Sequence, residues 1–229
     1  MRSPEPSPEA RLSASSSKKA SSRRHFDRWA GHYEEDRRSR WLAKLQDEAL
    51  GALSLTGDDR LLDVGCGTGA AVREAAPVVE RAVGVDLSPA MIARARELAA
   101  DLPNAEFREA DSEGLPFGDG EFTALLCTTS FHHYPDPRQA TREMARVLAP
   151  GGRVAIGDGC GDRLGARAFD LVLRTFQRSH VRLYRSEELE GILAQAGLAH
   201  QGTRLLLNGG YMIVAAGKRP VNAARASVS

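Results

Sequence analysis

Between Arg60 and Ile156 the chain alternates short apolar runs with stretches whose apolar residues return every three or four positions. The runs Leu61–Val64, Ala82–Val85, Phe122–Cys127 and Val154–Ile156 predict buried strands, and the charge-interrupted Glu106–Ala110 predicts another between the second and third of them. The intervening stretches predict helices. Ala70–Ala76 is stopped by Pro77; Ser88 caps a helix with Pro89 at its first position and Met91, Ala95 and Leu98 on one face. A third begins at Asp136-Pro137, turns Ala140, Met144, Val147 and Leu148 inward, and ends at Pro150-Gly151-Gly152. Further on, Ser186 caps a helix with Leu189, Ile192, Leu193 and Ala196 on its apolar face, stopped by Gly197. Thr203–Leu207 and Tyr211–Ala216, joined through Asn208-Gly209-Gly210, predict an antiparallel hairpin. Repeated strand–helix units imply an α/β fold, a doubly wound, mostly parallel sheet covered by helices on both faces.

The flanks read differently. From His25 to Leu55, Phe26, Trp29, Tyr33, Trp41, Leu42, Leu45 and Leu50 recur at helical spacing, a helical cap over 25–56. Residues 1–24 carry six basic against two acidic side chains among Ser, Pro and Ala, which predicts a disordered basic tail, and 219–229 predicts a C-terminal one. At 229 residues there is room for one sizeable core, assigned to 57–218. The whole-chain charge of +1 gives no global pull toward nucleic acid, and no apolar run reaches the ~20 residues of a membrane span. Three cysteines, Cys66, Cys127 and Cys160, stand in no metal-like spacing, which predicts a reducing, cytoplasmic setting without zinc.

Three glycines follow the first strand in Asp63-Val64-Gly65-Cys66-Gly67-Thr68-Gly69-Ala70. Gly65, Gly67 and Ala70 satisfy a dinucleotide fingerprint, while Asp63 and Gly69 equally suit a loop that holds S-adenosylmethionine. Asp86, at the end of the second strand, can accept bonds from vicinal ribose hydroxyls of either cofactor. Two features tip the balance. Asp63 would repel a pyrophosphate but complements an α-ammonium group, and Asp111 past the third strand can take an adenine amino proton.

Together these residues resemble the class I S-adenosylmethionine-dependent methyltransferases, especially the ubiquinone and menaquinone biosynthesis branch. Phe26-Asp27-Arg28-Trp29-Ala30-Gly31-His32-Tyr33-Glu34 is similar to that branch's opening segment, and Ala145-Arg146-Val147-Leu148-Ala149-Pro150-Gly151-Gly152 to its turn into the fifth strand. The resemblance implies a Rossmann-like, seven-stranded sheet with a reversed last strand. It implies cofactor contacts from Asp63, Gly65, Cys66, Gly67, Asp86, Leu87, Asp111 and Ser112; Gly69, Thr128 and Tyr33 join them as candidates. Where the family often has an aspartate after the strand's first phenylalanine, this chain has Thr123.

The segment Cys127-Thr128-Thr129-Ser130-Phe131-His132-His133-Tyr134 would then line the space between cofactor and acceptor. His132 and His133 are the candidate bases; in an extended segment at most one would face the pocket. An acceptor-side lid insert is expected over 158–184, with Phe169, Leu173 and Phe176 at helical spacing. The expected reaction is metal-independent methyl transfer to a small, partly apolar acceptor. An RNA-modifying methyltransferase, a nicotinamide-dependent oxidoreductase and a non-catalytic module keeping the cofactor pocket are the alternatives. Thr128-Thr129-Ser130-Phe131 is unlike the Asn/Asp-Pro-Pro-aromatic set that holds a flipped base, so nucleic acid is not the expected partner.

Overall fold

The structure, a computed structural model, describes residues 8–33, 37–163, 165–166, 170–171 and 180–220. Seven strands form one sheet in the order β3-β2-β1-β4-β5-β7-β6: β1 Arg60–Val64, β2 Arg81–Asp86, β3 Ala105–Glu109, β4 Phe122–Thr128, β5 Leu148–Gly159, β6 Leu198–Leu206 and β7 Tyr211–Lys218. Strands β1 to β5 pair in parallel, while β7 runs antiparallel to both β5 and β6. The doubly wound sheet with a reversed final strand is therefore present. From β1 the chain winds outward to β2 and β3, then returns to β4. The strand order reverses between β1 and β4, and a crevice lies at the carboxyl ends of the sheet there.

Six helices are described: α1 Pro8–Trp29, α2 Arg37–Gly51, α3 Ala70–Ala75, α4 Pro89–Leu98, α5 Pro137–Val147 and α6 Ser186–Gln195. Successive strand residues face opposite layers, so the central strands are apolar throughout. Leu62, Leu125 and Ile156 pack with Met144 of α5 and Leu193 of α6, whereas Leu61, Leu126 and Ala155 pack with Leu45 and Ala49 of α2.

Several boundaries differ from the sequence expectation for local reasons. Strand β5 runs straight through Pro150-Gly151-Gly152: Phe122 pairs with Leu148, Ala124 with Arg153, and the residues between are absorbed in a bulge with Gly151 at φ +81°. Ser186 does not cap α6. The cap position is Arg185, whose N–H donates to Glu188, and Ser186 donates both its N–H and its hydroxyl to Asp162. Ser88 and Asp136 do cap, accepting from the N–H groups of Met91 and Gln139.

The largest departure is at the N-terminus. Helix α1, Pro8–Trp29, takes in most of the segment 1–24 read as a disordered tail and the start of the cap; it has neither glycine nor a β-branched residue, and Pro8 stands at its first position. The remainder of that tail (1–7), most of the C-terminal one (221–229), and Phe169, Leu173 and Phe176 lie outside the described residues.

Candidate active site

The crevice holds a cavity of about 100 Å³, walled by the ends of β1, β2 and β4, the loop after β3, and the underside of α1. The bare loop after β1 uses its glycines for different purposes. A Cβ on Gly65 would stand 1.9 Å from Ser130 Oγ, so that glycine lets the loop after β4 close against β1. Gly67 has φ +54° and nothing within 4 Å of where a Cβ would be, and it lies in the cavity wall. Gly69 is not in the wall; a Cβ there would meet the Phe107 ring at 2.3 Å.

Asp63 is fully buried beneath the loop, outside the wall, and its Oδ1 has no hydrogen-bond partner among the described residues. Burial, with help from the nearby Asp86 charge, pushes its carboxyl up to about 8. Asp86 lies in the wall, where Oδ2 accepts the Gly67 N–H at 3.0 Å and Oδ1 the Ser88 N–H at 2.8 Å. Burial raises its carboxyl too, against the pull of the Ser88, Gly67 and Leu87 N–H groups. Leu87, Ser112 and Cys66 also reach the wall. The Cys66 thiol sits in an apolar cluster with Val72, Ile92 and Phe107, and burial pushes it well above its ordinary value, which makes it a spacer and not a nucleophile.

Asp111 is in the wall with a partner the sequence did not suggest. Lys19 of α1 reaches across to Asp111 Oδ2 at 2.6 Å and Glu113 Oε2 at 2.5 Å. Arg23 lies 3.4 Å from Glu109, and Ser88 Oγ donates to Asp27 at 2.6 Å. Lys19, Ser22, Arg23 and Phe26 thereby complete a cavity that sequence reasoning built without them. The signal was present only as charge: a basic run near the terminus and an acidic run, Glu109 to Glu113, ninety residues on. Tyr33 is in the wall, its ring edge-on to Trp29 at 4.8 Å.

On the fourth side stand Thr128, Thr129, Ser130 and His133. Thr129 adopts φ +49°, the left-handed region that threonine rarely enters, and its N–H donates to the Gly157 carbonyl at 2.8 Å. Tyr134, another residue missed from sequence, ties the crevice together: its hydroxyl donates to the Val64 carbonyl at 3.1 Å and accepts from Ser130 at 3.0 Å.

The two histidines do not alternate as in an extended segment. Phe131–His133 is a 3-10 turn, which brings the two ring centroids to 3.9 Å with the rings tilted by 46°. Only His133 enters the wall, edge-on to Phe26 at 5.2 Å. His132 turns to Asp158 at the end of β5, with Nδ1 2.7 Å from Oδ1 and the backbone N–H 2.9 Å from Oδ2. Gly159 N–H also donates to that buried carboxylate at 2.7 Å. Facing acceptor oxygens, Nδ1 of His132 is placed to donate, which leaves Nε2 as the ring's acceptor.

The chain is similar in sequence and fold to known methyltransferases. Residues 62–156 match the family described as Methyltransferase domain. The chain is 40% identical over 119 residues to the 27-O-demethylrifamycin SV methyltransferase of Amycolatopsis mediterranei, covering 50% of this chain and 44% of that protein. It is 40% identical over 144 residues to the demethylmenaquinone methyltransferase of Thermus thermophilus, covering 61% and 62%. The geranyl diphosphate C-methyltransferase of Streptomyces coelicolor, solved with Mg2+, geranyl diphosphate and S-adenosylhomocysteine, shares the fold at a TM-score of 0.67 and 21% identity, over 77% of this chain and 79% of that one. The chain spans 32% to 65% of the length of the curated relatives it matches. Residues 62–156 thus carry a methyltransferase domain, for which S-adenosylmethionine is the methyl donor.

Proposed function

We propose that the protein transfers a methyl group from S-adenosylmethionine to a small-molecule acceptor by in-line displacement that needs no metal ion. The observation that carries this reading is the pair of carboxylates in the cavity wall, Asp86 on β2 and Asp111 past β3, with the open side of Gly67 beside them and the unpartnered Asp63 of β1 buried beneath the loop.

Each carboxylate matches one part of the cofactor. The unpartnered, buried Asp63 Oδ1 suits an α-ammonium group, and a pyrophosphate beside it would be repelled, which sets the nicotinamide reading aside. Asp86 holds one N–H on each oxygen, so each keeps a lone pair for a ribose hydroxyl. Asp111 would take the adenine amino group; Gly65, Cys66, Leu87, Ser112, Thr128 and Tyr33 would supply the surrounding surface. Gly69 acts through packing.

When bound, the cofactor supplies a sulfonium methyl carbon that accepts a lone pair as the carbon–sulfur bond breaks and its electrons pass to sulfur. The protein aligns the acceptor and, where that acceptor is a hydroxyl or amine, takes its proton. We assign that role to His132, which stands behind His133 and outside the wall, so that the acceptor's proton has to pass His133 to reach it: Nδ1 faces Asp158, Nε2 is left to receive the proton, and the carboxylate would stabilise the imidazolium formed. His133, in the wall, orients the acceptor. Alignment alone can contribute on the order of 7–11 kcal/mol, so acceptors already deprotonated need no base.

Calorimetric titration with adenosylhomocysteine and separately with NADH tests the cofactor, and an acceptor screen read by adenosylhomocysteine release tests the reaction. Binding of adenosylhomocysteine with turnover of a small acceptor is expected; uptake of NADH alone defeats the reading. An RNA substrate is the second outcome the screen includes. Against it stands the engagement of Lys19 and Arg23 with Asp111, Glu113 and Glu109, which turns those cations inward.

A further inference from the structure

Behind His132 lies a second histidine–carboxylate pair. His180 is 4% exposed, its ring centroid is 5.3 Å from that of His132, and its Nε2 is 2.7 Å from Asp170 Oδ1. Asp170 Oδ1 also accepts the Leu183 N–H at 2.7 Å. The backbone follows the side chains: the N–H groups of Val181 and Arg182 both donate to the His132 carbonyl, at 3.0 and 3.3 Å. His132 is thus held at Nδ1 and N–H by β5 and at its carbonyl by 181–182, with the tilted rings of His133 and His180 at 3.9 and 5.3 Å from its own.

From this arrangement we infer that His180, held by Asp170, is a positioning residue for the His132–Asp158 pair. The inference rests on the reading of His132 as the proton acceptor, and it gives the acceptor-side segment a share in the reaction chemistry. The two rings carry their protons on opposite nitrogens. Asp158 draws the proton of His132 to Nδ1 and Asp170 draws that of His180 to Nε2, so neither competes for the other's carboxylate. Burial also lowers the proton affinity of His180, partly through the neighbouring His132, while Asp170 works the other way. A neutral His180 lets His132 become charged without a second cation beside it. Charged and titratable groups packed around His132 include Asp158, His133, His180, Arg182 through its backbone and, behind His180, Asp170.

The test uses the full chain loaded with adenosylhomocysteine and labelled with nitrogen-15 histidine, with His132→Gln assigning the signal. In the wild type, His132 shows the Nδ1–H form. His180→Phe and Asp170→Asn are expected to turn it into a mixture of tautomers, and His180→Gln, whose amide N–H can still donate to Asp170, to preserve it. With the acceptor found by the screen above, the first two variants should lower kcat roughly tenfold at unchanged KM for S-adenosylmethionine, less than the roughly 100-fold expected for losing the base itself. An unaltered His132 signal in His180→Phe and Asp170→Asn overturns the inference. So does equal loss in all three variants that tracks only their melting temperatures. Failure of the base reading looks different: His132→Gln would keep full turnover while the tautomer of His132 still answered to His180.

Discussion

Asp63 concentrates the chemistry of the site in one atom. Its carboxyl, held at about 8 by burial and by Asp86, keeps a proton at neutral pH in the ligand-free protein, and an α-ammonium group against Oδ1 would expel it. Binding of adenosylhomocysteine at pH 7 is therefore expected to release close to one proton, read from calorimetric enthalpies in buffers of differing ionisation heat; in Asp63→Asn the release disappears and affinity falls. The folded value lies above the unfolded one near 3.8, so the folded chain holds the extra proton between the two, and ligand-free stability falls as pH rises through that window. Asp63→Asn should then raise ligand-free stability at pH 7 by on the order of 2 kcal/mol, which thermal melts at pH 5 and 7.5 would detect. The glycines separate in the same way. Gly67→Ala should cost only about 1 kcal/mol of stability from its backbone conformation while weakening cofactor binding at least tenfold. Gly65→Ala, whose new methyl meets Ser130, should cost about 3 kcal/mol or more in chemical denaturation.

At the scale of elements, α1 is the part whose place follows from charge and not from apolar burial. Its Lys19 holds the carboxylate assigned to adenine, and Arg23 and Asp27 grip the ends of β3 and α4 beside it. Cofactor exchange must part these contacts. Stopped-flow measurements are expected to show adenosylhomocysteine dissociating several-fold faster at high salt in the wild type, with Lys19→Gln fast at all salt concentrations. Salt-independent exchange in the wild type would mean that α1 does not gate the cavity. The strand–turn–helix units were readable because each rule is local: Ser88 and Asp136 cap where their spacing says. Asp162 taking the N-terminal role at α6 was not readable, since it lies 24 residues upstream of the N–H it accepts.

For the molecule as a whole, the amino ends of the central strands are fastened by another distant set. Asp59 accepts from Thr56, from Thr123 Oγ at 2.7 Å and from Arg153 at 2.7 Å, and although burial works the other way, these donors hold its carboxyl below its ordinary value. The sign is opposite to that of Asp63: stability from Asp59 is present above its unfolded value near 3.8 and is lost as pH falls through its lower folded one. Thr123→Val removes one donor and leaves the Arg60 N–H without its acceptor, so a loss of about 1–3 kcal/mol is expected in urea denaturation at pH 7. Thr123, a departure from the family pattern in sequence, is thus an anchoring residue in the fold.

The sequence by itself determined the parallel α/β sheet with its reversed final strand, the bare loop and the carboxylates at successive strand ends, because period-2 and period-3.6 patterns and turn chemistry act within a few residues along the chain. Only the tertiary structure decided that α1 folds onto the acidic rim, that His132 and not His133 pairs with Asp158, and that Gly69 serves Phe107. Those outcomes depend on charges and shapes that meet across 26 to 92 positions of sequence, where no local period carries the information.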